Sequence, residues 1–182
     1  MKIYAIRHGL TELNKKGIFN GHIDEELSPE GIHKAKIIAP SIPKSIKHIY
    51  SSSQKRAKQT AEIINSELNI PISFHDELIE LSMGTFDGQI FTEERKIIHK
   101  SLQYDWRPYG GESIEDVKNR VLKILKEIQL LPINKDGEIL IVTSGGIIRL
   151  LHFLETGMLL GDIGNVSLLT FDLDKIINNS NM

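Results

Sequence analysis

The chain of 182 residues has no cysteine. That excludes disulfides, a thiol nucleophile and a Cys-ligated zinc site. A bias of charge is missing too: 22 Lys and Arg stand against 24 Asp and Glu, a net charge of -2. Nothing in that balance draws the chain to nucleic acid or to a membrane surface. No apolar stretch reaches membrane-spanning length. The opening MKIYAIRHG runs straight into a strand-like segment and lacks a signal-peptide pattern. A cytoplasmic protein is therefore expected. No Gly-rich segment ends in Gly-Lys-Ser/Thr, which removes a P-loop NTPase. No His/Asp/Glu cluster has ligand spacing, so no metal or other cofactor is expected.

The composition is ordinary for a globular protein, with 40% apolar and 25% charged residues. Neither repeat nor low-complexity linker divides the chain, so residues 1–182 are expected to form one domain. Strand-like and helix-like segments alternate. Ile3 to Ile6 reads as a strand. Ser28 can cap a helix that begins at Pro29 and stops near Ala39. Lys47 to Ser51 is a second strand. Ser53 can cap a helix carrying Ala57, Ala61, Ile64 and Leu68 on one face. Ile72 to Phe74 is a brief strand, and Ile90 to Leu102 is weakly helical. Ser113 can cap a long helix with Ile114, Val117, Val121, Ile124, Leu125 and Ile128 on one side. Asp136-Gly137 is a turn. Ile139 to Thr143 is a continuous apolar strand, followed by a helix to about Glu155. Val166 to Leu173 closes the chain as a strand. The pattern predicts an α/β fold, a three-layer α/β/α sandwich around a mostly parallel sheet.

In such sheets ligands bind beyond the C-terminal ends of the strands. Those exits carry Arg7-His8-Gly9, Ser51-Ser52-Ser53 and Ser144-Gly145-Gly146. An imidazole fixed at a strand end beside a guanidinium can attack phosphorus. The plainer alternative is a loop-bonding His8 and an Arg7 in a structural ion pair. Thr143-Ser144-Gly145-Gly146 is a poor serine-hydrolase elbow, because the Gly two residues before the Ser is missing.

Six fragments bear a resemblance to the histidine phosphatase superfamily, which includes phosphoglycerate mutases and many small phosphatases. They are IYAIRHGLTELN, NGHIDEELSPEGIHKA, IYSSSQKRAKQTAEII, ELIELSMGTFDGQ, YGGESIEDVKNRV and IVTSGGIIR, in the family's order across nearly the whole chain. The small phosphatase branch, alpha-ribazole phosphatase-like, is the nearer match. The resemblance implies a phosphoglycerate mutase-like fold and His8 as a nucleophile that becomes phosphohistidine. It implies Arg7 and Arg56 as clamps on the phosphoryl oxygens, and Glu80 as proton donor to the leaving alkoxide, then base for water. Gly9, Asn14, Asn20, Gly21 and Gly145 match positions on the substrate side. Apolar neighbours Leu78, Ile79, Leu81 and Met83 would favour the protonated form of Glu80. Without the family roles, Arg56 reads as an exposed helix residue beside Lys55 and Lys58, and Glu80 as a surface carboxylate. The implied partner is a small phosphorylated substrate or inorganic phosphate.

The chain departs from the family at Ser144, where a second histidine is usual. A serine offers a short, neutral donor in place of an imidazole. Losing one positioned donor costs about 10²–10³ in rate. The expectation is a phosphatase with impaired or altered turnover, and the alternative is a phosphoester-binding protein that no longer turns substrate over. His22, His33, His48, His75 and His99 read as structural or surface residues in helices and loops, with His22 alone in a pocket-lining segment. Mutases of the family carry a longer insertion before the Gly-Glu-Ser motif. Here a short cap around residues 89–109 favours water as acceptor and makes a phosphoglycerate mutase the weaker reading. Arg107, Trp106 and Tyr109 could shape specificity, and Trp106 could equally be a core plug.

Overall fold

The structure, a computed structural model, describes residues 1–90, 92–93, 104–132 and 137–180. Five strands form one sheet: β1 (Lys2–Arg7), β2 (Ile46–Ser52), β3 (Ile72–His75), β4 (Glu138–Thr143) and β5 (Leu168–Asp172). Their order is β3-β2-β4-β1-β5. The pairs β1–β4, β2–β4 and β2–β3 are parallel, and β5 runs antiparallel on the edge of β1. Besides short 3-10 turns, the helices named here are α1 (Glu12–Lys15), α2 (Pro29–Ile38), α3 (Lys55–Leu68), α4 (Ile114–Leu130), α5 (Gly145–Thr156) and α6 (Leu173–Asn179). None is long and apolar enough to cross a membrane.

The two faces of the sheet are covered separately. Tyr4, Ile6, Ile49, Leu140 and Val142 pack with Ala39 at the end of α2 and with Ala57, Ala61 and Ile64 of α3 on one side. Ile3, Ala5, Ile139 and Ile141 pack with Val121, Leu125, Ile148, Leu151 and Ile176 of the other helices. Alternate side chains of β1 and β4 thus point into two cores, which explains why both strands read as continuous apolar runs. The expected three-layer sandwich is the observed architecture.

Register places the site. Arg7 lies opposite Thr143, the last residue of β4. The next residue of each strand, His8 and Ser144, therefore leaves the sheet at the same end. The His8 amide still donates to Thr143 O at 2.9 Å, which prolongs the ladder by one bond.

Several expectations need correction. Ser53 does not cap α3: the N-cap is Gln54, and Ser53 Oγ bonds to Asp76 instead. The last strand is Leu168–Asp172, shorter than Val166 to Leu173, because Val166 adopts a positive φ of 55° and Asp172 caps a further helix, α6. A helix of 7 residues leaves too few turns to reveal a periodicity. His48 and His75 lie in β2 and β3, not in helix or loop, and the His48 ring stacks on Tyr50 at 4.2 Å. Ser28 and Ser113 cap α2 and α4 as expected, accepting from Gly31 N and Asp116 N. Most of the segment read as weakly helical, the greater part of the cap, His99 and Asp136 lie outside the described residues.

Trp106 is fully buried, with Phe86 at 5.3 Å and Tyr109 at 6.1 Å between ring centroids. It is a core plug. Trp106→Ala is expected to lower the free energy of unfolding by about 3–5 kcal/mol in urea denaturation. A loss below about 1 kcal/mol would mean that the ring adds little packing.

Candidate active site

Two strand exits and two helix starts converge here. The His8 ring is 4% exposed. Its Nδ1 lies 2.8 Å from Gly9 O, and a carbonyl can only accept, so the Nδ1 position carries the proton. Nε2 then keeps its lone pair, and Arg56 Nε donates to it at 3.2 Å. Burial, followed by the Arg56 and Arg7 charges, holds His8 well below the ordinary histidine range. The imidazole is neutral and its tautomer is set from both sides. Gly9 N donates to Thr60 Oγ1 at 3.0 Å, and the Thr60 hydroxyl donates to Arg56 O at 2.7 Å, tying the β1 exit to α3.

Arg56 is 0% exposed, which overturns the alternative of a solvated helix residue. Its Nη1 donates to Ile23 O at 2.7 Å, and Nη2 donates to Gly21 O at 2.9 Å and Gln54 Oε1 at 2.8 Å. Burial lowers its pKa, opposed by Glu80, Asp24 and Glu25, and a guanidinium stays charged throughout. Arg7 approaches from the other side. Its Nη1 donates to Ile163 O, while Nε is buried with no hydrogen-bond partner. A Cβ built on Gly145 would lie 3.5 Å from that Nε, so the guanidinium sits against the start of α5.

Ser144 is the N-cap residue of α5, yet its side chain makes no capping bond. Its Oγ is buried without a partner, and the residue is 2% exposed. Glu80 caps the helix from outside: Oε2 accepts from Gly146 N at 3.2 Å, and Oε1 accepts from Leu81 N at 2.9 Å. A Cβ on Gly146 would fall 2.1 Å from Glu80 Oε1, so only glycine allows this approach. At 8% exposure Glu80 is not a surface carboxylate. The arrangement leaves two unpartnered polar atoms, Arg7 Nε and Ser144 Oγ, beside the positive end of a helix.

Asn14, Asn20 and Gly21 join a hydrogen-bonded network that reaches Arg56. Asn14 Nδ2 donates to Asn20 Oδ1 at 2.7 Å, and Asn20 Nδ2 donates to Glu25 Oε2 at 2.9 Å. Gly21 contributes a carbonyl to Arg56 and Gln54, with a positive φ of 49°. Sequence reasoning missed Gln54, which bridges Gly21, Arg56 and the Glu80 amide, and Asn165, whose Nδ2 donates to His8 O at 3.0 Å. It also missed Arg120 and Glu112. Arg120 could have been found as one of few arginines in a lysine-rich chain. Among the described residues, no group of three or more His, Cys, Asp or Glu could hold a metal.

Residues 3–175 match the histidine phosphatase superfamily (branch 1), and the chain belongs to it. The 2,3-bisphosphoglycerate-dependent phosphoglycerate mutase of Cytophaga hutchinsonii is 33% identical over 178 residues, covering 92% of this chain and 83% of its own. A broad-specificity phosphatase of Saccharomyces cerevisiae is 29% identical over 159 residues, covering 83% of this chain and 68% of its own. A solved mycobacterial glucosyl-3-phosphoglycerate phosphatase, complexed with VO3, superposes with a TM-score of 0.82 at 26% identity, covering 93% of this chain and 90% of that one.

Glu112 makes the electrostatics beside the site pH-dependent. Burial pushes its carboxyl up, but His22, the Arg120 bonds and charge, and the Ser82 amide outweigh that and bring it down to about 2. A folded-state value below the unfolded one stabilises the protein above the ordinary glutamate range, and that stability is lost as pH falls. Glu112→Gln should therefore flatten the loss of stability between 4.5 and about 2, read as urea midpoints across pH. Parallel curves for the two proteins would contradict this.

Proposed function

We propose that the chain is a phosphomonoester hydrolase working through a phosphohistidine on His8. The observation that carries this reading is the neutral His8 ring, its Nδ1 proton held by Gly9 O and its Nε2 lone pair facing Arg56. Nε2 attacks phosphorus and the bond from phosphorus to the leaving oxygen breaks. The Arg56 Nε proton that now points at Nε2 turns to a phosphoryl oxygen. Arg7 Nε and the Ser144 hydroxyl, both without partners, are free to take others. Charge spread over those oxygens meets two guanidinium groups and the start of α5, so catalysis is mainly positioning and electrostatics. Glu80 gives its proton to the leaving alkoxide, which otherwise departs poorly. It then takes one from the water that attacks phosphohistidine, and inorganic phosphate leaves.

Ser144 slows this cycle because a neutral hydroxyl replaces a larger donor. The substrate class is a small phosphorylated metabolite, in keeping with the phosphatases and mutases to which the chain is similar. Water is the final acceptor. Incubation with a labelled phosphoester should leave acid-labile phosphate on the wild-type protein and none on His8→Ala. Tight phosphoester binding with no phosphohistidine would favour a binding protein on this fold. Ser144→His should hydrolyse an aryl phosphate about 10²–10³ times faster. A variant no faster than wild type would refute the reading of position 144. Efficient interconversion of 2- and 3-phosphoglycerate by that variant would replace the hydrolase with a mutase.

A further inference from the structure

Glu80 sits in a stretch with no helix or strand of its own, so something else must fix it. Arg120, on α4, donates Nη1 to Glu77 O and Ile79 O, both at 2.8 Å, and Nη2 to Glu80 O at 3.1 Å. The same guanidinium holds Glu112 at 2.8 Å through Nε and at 3.1 Å through Nη2. Glu112 Oε2 accepts from Ser82 N at 3.0 Å. The loop is thus gripped before Glu80, at Glu80 and after it by one Arg–Glu pair.

A second donor reaches the same carbonyl from another element. His22 Nε2 lies 2.9 Å from Glu80 O and 3.5 Å from Glu112 Oε2. His22 also stands between Gly21 and Ile23, whose carbonyls accept from Arg56 at 2.9 and 2.7 Å. Its amide donates to Asp87 Oδ2 at 3.1 Å. One short segment therefore touches both the Arg56 clamp and the Glu80 loop.

We propose that Arg120, Glu112 and His22 are positioning residues that set Glu80 against the Arg56 clamp and so control proton delivery to the leaving group. This rests on Glu80 being the proton donor. A carboxyl displaced by about 1 Å can cost about 10²-fold in rate. Gln54, Gly146 and Leu81 meet the Glu80 amide and carboxylate, and Arg120, Glu112 and His22 hold the backbone from which that carboxylate is aimed.

Leaving-group dependence separates this role from a merely structural one. An aryloxide such as p-nitrophenolate departs without a proton, whereas the alkoxide of glycerol 2-phosphate needs one. His22→Phe and Arg120→Met should lower kcat/KM for glycerol 2-phosphate about tenfold more than for p-nitrophenyl phosphate. Glu80→Gln should show the same bias more strongly, and His22→Gln, which retains a donor, should recover most of the loss. Equal losses on both esters in His22→Phe, with Glu80→Gln still discriminating, would overturn the proposal. A Glu80→Gln variant that loses both esters equally would remove the proton-donor role itself and the positioning role with it. His22 is a partly exposed position, so His22→Phe carries the test even where Arg120→Met does not fold.

Discussion

The contact between Arg56 Nε and His8 Nε2 is the constraint on which the site is built. A fully buried guanidinium is tolerable only when its remaining N–H groups are satisfied, and Gly21 O, Ile23 O and Gln54 Oε1 satisfy them. That demand fixes the path of the segment through Asn20 and Gly21, pins the start of α3 and places a cation beside the imidazole. Burial first, and that cation second, keep the imidazole neutral. Packing, charge and nucleophilicity are therefore one problem with one solution.

The start of α5 shows a different economy. A helix of 12 residues begins with a serine whose hydroxyl caps nothing. The orphan amide of Gly146 is met by Glu80, a residue from a distant loop. In the proposed cycle the carboxyl that manages the leaving group is also the group that satisfies a helix end. Resting geometry and reactivity are then coupled, because any movement of Glu80 toward substrate releases a backbone donor at the place where phosphoryl charge collects.

The layers, the strands along the chain and the starts of α2 and α4 were legible in the sequence, for physical reasons. Apolar runs of full strand length mark strands covered on both faces, as β1 and β4 are, and Ser28 and Ser113 announce their helices through side-chain capping. Ser53 misled because its hydroxyl is spent on Asp76, a tertiary partner that local sequence does not display. The short α6 escaped because hydrophobic period needs more turns than it has. Within the site, His8, Arg7, Arg56 and Glu80 were visible as motif residues. Gln54 and Asn165 were not, since they act mainly on backbone groups of other segments that no sequence pattern encodes, and Arg120 stood out only by the scarcity of arginine.

The approach of Glu80 to Gly146 has an implication for how this chain can change. The two residues are 66 positions apart, yet a methyl group on one would occupy the space of the other's carboxylate. A side chain at position 146 would therefore force Glu80 out of this rotamer and away from the Gly146 amide, so the glycine and the carboxylate placement form one unit.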